Sequence, residues 1–344
     1  MKGSKLLLAL GAGLAAALVS RGLVRRSRRF SFVGKNVLIT GGSRGLGLVL
    51  ARQLVDAGAR VAICARTAAD LEEAERELLA RGGETLALRC DVSQPEEVHS
   101  AVQQVLQRFG GIDVLCNLAG IIQVGPLEAM TREDFRRAMD VHFWGALNTT
   151  LAVLPEMRRR GWGRIVNVAS LGGKRAVPHM LPYTASKFAL VGLSNGLRTE
   201  LAKDGILVTT VCPSLVRTGS PRNALFKGQH RKEHAWFSIA DALPGVAMSA
   251  ERAAAEILRA CRDGEREVLL RNPVNLAVAL QAFFPGTTQS LLGVVARFLP
   301  PMGGIGSGSA YGYESASRWS PSWLTRPGDA AARRNNEMRR RPSR

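Results

Sequence analysis

Tyr183 and Lys187 stand four residues apart, a spacing that puts both on one face of a helix. A phenol titrates near pH ~10 in water and is a poor acid–base group at neutrality. A neighbouring ammonium stabilises the phenolate, so Lys187 is expected to lower the Tyr183 pKa and fit it for proton transfer. Ser170, thirteen residues before the tyrosine and just after an apolar run, offers a hydroxyl that can donate to a substrate oxygen. The second chemical feature is the stretch Thr40-Gly41-Gly42-Ser43-Arg44-Gly45-Leu46-Gly47 between an apolar run and a helical one. Glycines let a backbone turn tightly and approach a pyrophosphate without Cβ clashes, and the following helix N-terminus aims N–H groups at the anion. No CxxC or His-rich spacing marks a metal site.

These groups need strand ends and helix starts to hold them. Short apolar β-rich runs alternate with helical stretches. Strands are expected at 37–40, 60–65, 85–90, 112–117, 164–170, 206–212 and 267–270, with helices at 46–57, 69–81, 95–109, a long stretch through Met157, 183–203 and 250–261. Continuous apolar runs suit strands buried on both faces. Repeated βα units imply an α/β fold with a doubly wound parallel sheet of about seven strands and helices on both faces. Ligands in such a sheet bind beyond the carboxyl ends of the strands, where the residues above fall. Cys64, Cys90, Cys116 and Cys212 lie in or at the end of strand-like runs, and an odd total of five cysteines argues for core thiols over a disulfide framework.

The Thr-Gly-x3-Gly-x-Gly spacing, Tyr-x3-Lys and the preceding serine together resemble the short-chain dehydrogenase/reductase family over roughly residues 34–270. Asp91-Val92 resembles that family's adenine-contacting pair. Asn117-Leu118-Ala119-Gly120 resembles its Asn-Asn-Ala-Gly, and Pro213-Ser214 with Thr218 its Pro-Gly-x-Val-x-Thr. The resemblance implies hydride transfer between a nicotinamide and a carbinol or carbonyl carbon. Tyr183, its pKa lowered by Lys187 together with the oxidised nicotinamide, would move the proton, Ser170 hold the oxygen, and Lys187 also grip the nicotinamide ribose. The implied cofactor contacts are Gly41, Ser43, Arg44, Gly45, Leu46, Gly47, Arg66, Asp91, Val92, Asn117, Ala119, Gly120, Tyr183, Lys187, Pro213 and Thr218.

NAD-preferring relatives carry an acid at the end of the second strand. Here Cys64-Ala65-Arg66 offers none, and Arg44 and Arg66 can clamp a 2′-phosphate from two sides, so NADP(H) is expected over NAD(H). Three positions depart from the family pattern. His142 stands where relatives have an asparagine that holds a water linked to the lysine; a neutral imidazole has a donor and an acceptor and is expected to hold it too. Leu118 replaces the second asparagine and Ser214 the usual glycine. The segment 219–249, where the family builds its lid, carries Phe226, Trp236, Phe237, Ile239, Leu243 and Met248. With an anchor-like N-terminal segment it suggests a lipophilic ketone or aldehyde and its alcohol; the alternative is a catalytically weak NADP-binding scaffold at a membrane surface.

The net charge of +19 is concentrated at the ends: residues 1–29 hold seven Lys/Arg and no acid, and 326–344 hold seven Arg against two acids. Leu6–Val19 is an uncharged apolar run between two lysines and five arginines. It is short for a spanning helix, yet as an anchor it would leave the main domain on the cytoplasmic side. The expected organisation is therefore an anchor or signal-like segment (1–29), an NADP-binding catalytic domain (30–271), an apolar extension (272–300) and a flexible basic tail (301–344). Membrane association facing the cytoplasm is expected, with a soluble cytoplasmic protein as runner-up. No nucleic-acid partner is expected, although a basic surface is the usual mark of one. By resemblance, homodimers or homotetramers are plausible.

Overall fold

The computed structural model describes residues 28–243, 247–270 and 275–338. Seven parallel strands form its centre: β1 (Asn36–Thr40), β2 (Arg60–Ala65), β3 (Thr85–Arg89), β4 (Val114–Asn117), β5 (Gly163–Val168), β6 (Ile206–Cys212) and β7 (Glu267–Leu269). Their order is β7-β6-β5-β4-β1-β2-β3, the doubly wound arrangement expected. Thr40 pairs with Cys64 on one side and Asn117 on the other, so three strand ends meet at one level.

Strand β1 is buried along its whole length, and its pleat divides two cores. Val37 and Ile39 pack beneath α1 (Gly45–Asp56) and α8 (Ala250–Asp263), with Leu48, Leu54 and Ile257. Leu38 packs on the other face beneath α3 (Pro95–Phe109) and α5 (Gly145–Arg160), with Val102 and Met157. Helix α3 starts on Pro95 and stops at Gly110, whose φ of 76° closes the C-terminus. Helices α2 (Ala68–Ala80) and α6 (Leu181–Glu200) complete the frame.

The long helix expected up to Met157 is broken into parts. Residues Gln123–Val124 form a short strand, and a new helix, α4 (Arg132–Met139), starts where Thr131 and Asp134 cap each other's backbone. One π-turn, Asp140–Trp144, then joins α4 to α5. Such turns insert a residue into the helical ladder and often mark functional positions; His142 lies in this one.

The tail is not the loose segment its composition suggests: residues 301–338 lie against the domain. Ala310–Tyr311 pairs antiparallel with Leu225–Phe226. The Gly312 amide donates to Ala224 O at 3.0 Å, and a side chain at Gly312 would collide with the carbonyl of Pro221. Glycines that read as flexibility here permit close backbone approach. Helix α11 (Arg326–Arg334) buries Ala331 and Ala332 against Gly219. It also packs on α7 (His230–Ala242).

The apolar extension is a helical pair, α9 (Asn275–Phe283) and α10 (Pro285–Ala296), turned at Phe284-Pro285. Phe283 and Leu291 are 79% and 64% exposed, so the pair turns apolar surface outward. The expected N-terminal anchor lies outside the described residues. Among the described residues no helix is long and apolar enough to cross a membrane.

Candidate active site

A cavity of about 470 Å³ opens beyond the carboxyl ends of the central strands. One wall is the glycine loop, with Gly41 and Ser43 through Gly47. Gly41 has φ +71°, and a Cβ there would come within 2.9 Å of the Ala119 backbone. Thr40 Oγ1 ties the loop to the next strand by accepting from the Leu118 and Ala119 amides, both at 3.1 Å. Arg66, Asp91 and Val92 border the far end; Ala119, Gly120, Pro213 and Thr218 border the middle. The cradle and its length fit a dinucleotide.

Asn117, expected among the cofactor contacts, is not at the cavity wall. Its amide donates to Asn167 Oδ1 at 2.9 Å and its carbonyl accepts from Thr149 Oγ1 at 2.7 Å. It is 5% exposed and staples β4 to β5 and α5. The two arginines reach the cavity but are not free clamps: Arg66 pairs with Asp91 at 3.6 Å, and Arg44 pairs with Glu337.

Ser170, Tyr183 and Lys187 meet at the other end. The Ser170 oxygen is fixed by accepting from the Gly172 amide at 3.0 Å. Lys187 Nζ donates to Val168 O at 3.0 Å, and burial lowers its pKa to about 8. It lies 5.7 Å from the Tyr183 ring centre. The share of the lowering expected from Lys187 is not found in the protein itself. Burial pushes the Tyr183 pKa up, and a hydrogen bond from Ser170 opposes the rise only in part. The physical reason is that the lysine ammonium is drawn to the Val168 carbonyl and is itself disfavoured by burial.

His142 is 1% exposed. Its Nε2 accepts from the Ile121 amide at 3.1 Å, which leaves the proton on Nδ1 to donate to Ser186 Oγ at 2.7 Å. Ser186 in turn donates to the Tyr183 carbonyl at 2.9 Å. Both ring nitrogens are spent within the chain, so neither is left to hold a water for Lys187. Burial, with the Lys187 charge, keeps the ring well below the usual histidine pKa and hence neutral. Its ring meets the Tyr183 ring edge-on at 5.3 Å.

Of the lid residues, Trp236 and Phe237 line the cavity with Ile121, Ile122, Met180 and Leu225. Phe226 is wholly buried, Met248 joins the sheet core, and Leu243 faces outward. Residues missed from the sequence also reach the cavity. Asp241, on α7, is held up to about 7 by burial, with Arg217 pulling it down and Glu337 adding to the rise. Glu337 comes from the C-terminal segment; no spacing or motif links it to a loop nearly three hundred residues earlier.

A family model described as short chain dehydrogenase matches residues 35–225. The chain belongs to that family. Dehydrogenase/reductase SDR family member 7B of Bos taurus is 33% identical over 268 residues, covering 76% of this chain and 81% of the relative. Among solved structures, a gluconate 5-dehydrogenase from Burkholderia cenocepacia, in complex with NADP and tartrate, is 29% identical with a TM-score of 0.64. The match covers 72% of this chain and 98% of that one. An actinorhodin polyketide ketoreductase with NADPH is 32% identical with a TM-score of 0.62, covering 69% and 96%. This short-chain dehydrogenase is thus an oxidoreductase. The family-model match takes in the glycine loop and the Ser170–Tyr183–Lys187 cluster and ends before α9, α10 and the C-terminal segment.

Proposed function

We propose that the protein is an NADP(H)-dependent oxidoreductase that interconverts a lipophilic ketone or aldehyde and its alcohol. The observation that carries this reading is one continuous cavity, with an anion cradle at one end and Ser170, Tyr183 and Lys187 at the other. Gly41, Ser43, Gly45, Leu46, Gly47 and Thr218 would hold the phosphates, Arg44 and Arg66 the 2′-phosphate, and Asp91-Val92 the adenine. When bound, the nicotinamide supplies or accepts the hydride. Ser170 orients the carbonyl oxygen and Tyr183 gives up or takes back the proton at that oxygen. Lys187 would hold the nicotinamide ribose and stabilise the phenolate that results. His142 acts through Ser186 as a positioning residue. The apolar wall from Ile121 to Phe237 excludes water and favours a lipophilic substrate. Tyr183→Phe tests the assignment: turnover with a carbonyl panel is expected to fall at least about 10³-fold with cofactor affinity unchanged. Full activity in that variant refutes it.

We propose further that the protein sits at a membrane surface. Phe283, Leu291, Val294 and Val295 are exposed on a helical pair, and Phe284 at its turn, with no charge between Asn272 and Ala296. Flotation with anionic liposomes is expected, and is expected to weaken with Phe283→Glu/Phe284→Glu; a protein that never floats refutes it. Exposed Leu151 on α5 and Phe188 on α6 favour pairing of two copies through these helices. Sedimentation at the monomer mass would exclude that.

A further inference from the structure

The anion cradle that the glycine loop builds already faces an anion of the chain itself. Residues 334–337 run along its rim with most of their polar groups bound. Arg52 donates to Arg334 O at 2.7 Å and to Asn335 Oδ1 at 3.1 Å. The Gly45 amide, at the start of α1, donates to Asn335 O at 2.8 Å. Asn336 adopts φ 55°, a left-handed conformation that asparagine tolerates, and its amide donates to Ser43 O and Asp70 O, both at 3.1 Å. Asn335 is wholly buried and Glu337 is 3% exposed.

That track delivers the Glu337 carboxylate to the loop. It pairs with Arg44 and accepts from the Asn223 amide. A Cβ on Gly45, itself at φ +55°, would lie 2.7 Å from Glu337 Oε1, so the carboxylate lies close against the loop backbone. Helix α1 presents the positive end of its dipole here, and Arg44 adds a full charge. An acid at such a place is favourably held, yet a phosphate arriving at the same groups meets a like charge in a largely desolvated site.

We propose that Glu337 is a resident counter-anion of the cofactor cradle. It competes with the dinucleotide's phosphates for Arg44 and the loop, and so sets the affinity of the site. The proposal rests on the dinucleotide reading above. On cofactor binding the Glu337 carboxylate leaves Arg44, and the short track 335–337 loosens from Gly45 and Ser43.

The test is direct binding of NADPH and of NADH, by nucleotide fluorescence, to the full chain and to Glu337→Gln and Glu337→Asp. Glu337→Gln is expected to tighten NADPH binding about tenfold at low salt, with the gain shrinking as salt is added. Glu337→Asp, which keeps the charge, is expected to stay near the parent. A gain for NADPH alone assigns the competition to the 2′-phosphate; an equal gain for NADH assigns it to the pyrophosphate. Hydrogen exchange of residues 326–338 in the parent is expected to rise when NADPH is added, a readout independent of any variant's folding. Equal NADPH affinity in parent and Glu337→Gln, or tighter protection of 326–338 with NADPH, overturns the proposal and leaves the dinucleotide reading standing. Absence of binding to parent and variants alike overturns both.

Discussion

Replacing His142 separates two bonds that the imidazole makes at once. The asparagine amide lies about as far from the backbone as Nδ1, and the glutamine amide about as far as Nε2. His142→Asn can therefore still reach Ser186, whereas His142→Gln can still reach the Ile121 amide. Orphaning the Ile121 N–H costs about 1–3 kcal/mol, and losing one ordinary hydrogen bond about 1 kcal/mol. His142→Leu loses both bonds and is expected to cost about 2–4 kcal/mol, roughly 5–15 °C in Tm for a domain of this size. Catalysis should divide the other way. Ser186 steadies the Tyr183 carbonyl, so His142→Gln is expected to lower kcat about tenfold, while His142→Asn holds kcat near the parent despite its stability loss. Calorimetry gives the first quantity and steady-state oxidation of NADPH the second. A His142→Leu protein that melts within a degree of the parent, or the reverse order of kcat, refutes the bonding chain as the reason for this histidine.

Acid should destabilise the fold through its buried histidines. His142 is held well below 6.5 and His234 at about 4, chiefly by burial, so both stay neutral when folded and charge when unfolded near 6.5. Their contribution is whole above pH 6.5 and is lost as pH falls, at about 1.4 kcal/mol per pH unit for each, down to the folded pKa; denaturant melts between pH 7 and 5 will measure it, and a flat profile would contradict it. Gly47→Ala sets a Cβ against the Gly41 carbonyl, so the loop must open; nucleotide binding should fall well beyond tenfold with about 1–3 kcal/mol of stability lost. The Lys227–Asp134 pair sits at 2.5 Å with both side chains under a tenth exposed. Breaking it with Asp134→Asn should cost about 3–5 kcal/mol by leaving a buried ammonium unpaired, and unchanged denaturation would show the pair is solvated.

Local chemistry accounts for what the sequence reveals of this protein. The strand runs, the glycine turn and Pro95 at the head of α3 are legible because period, conformational freedom and cap chemistry act over a few residues. The same holds for the positions of Ser170, Tyr183 and Lys187 at a strand end and on one helix face, which the pattern already encodes. The tertiary structure alone decided matters that turn on burial and distant neighbours. Asn117 matches a motif of cofactor contacts, yet packing points its amide at Asn167. His142 has two ring nitrogens whose partners, Ile121 and Ser186, are far apart in the chain. Tyr183 is raised in pKa because desolvation outweighs its hydrogen bond with Ser170, while the lysine that the spacing sets beside it donates to the Val168 carbonyl. The Gly- and Ser-rich tail reads as loose by composition, but its glycines admit backbone where side chains would clash. Glu337 reaches Arg44 only because the chain folds back over the sheet, and no local rule in the sequence carries that contact across nearly three hundred residues.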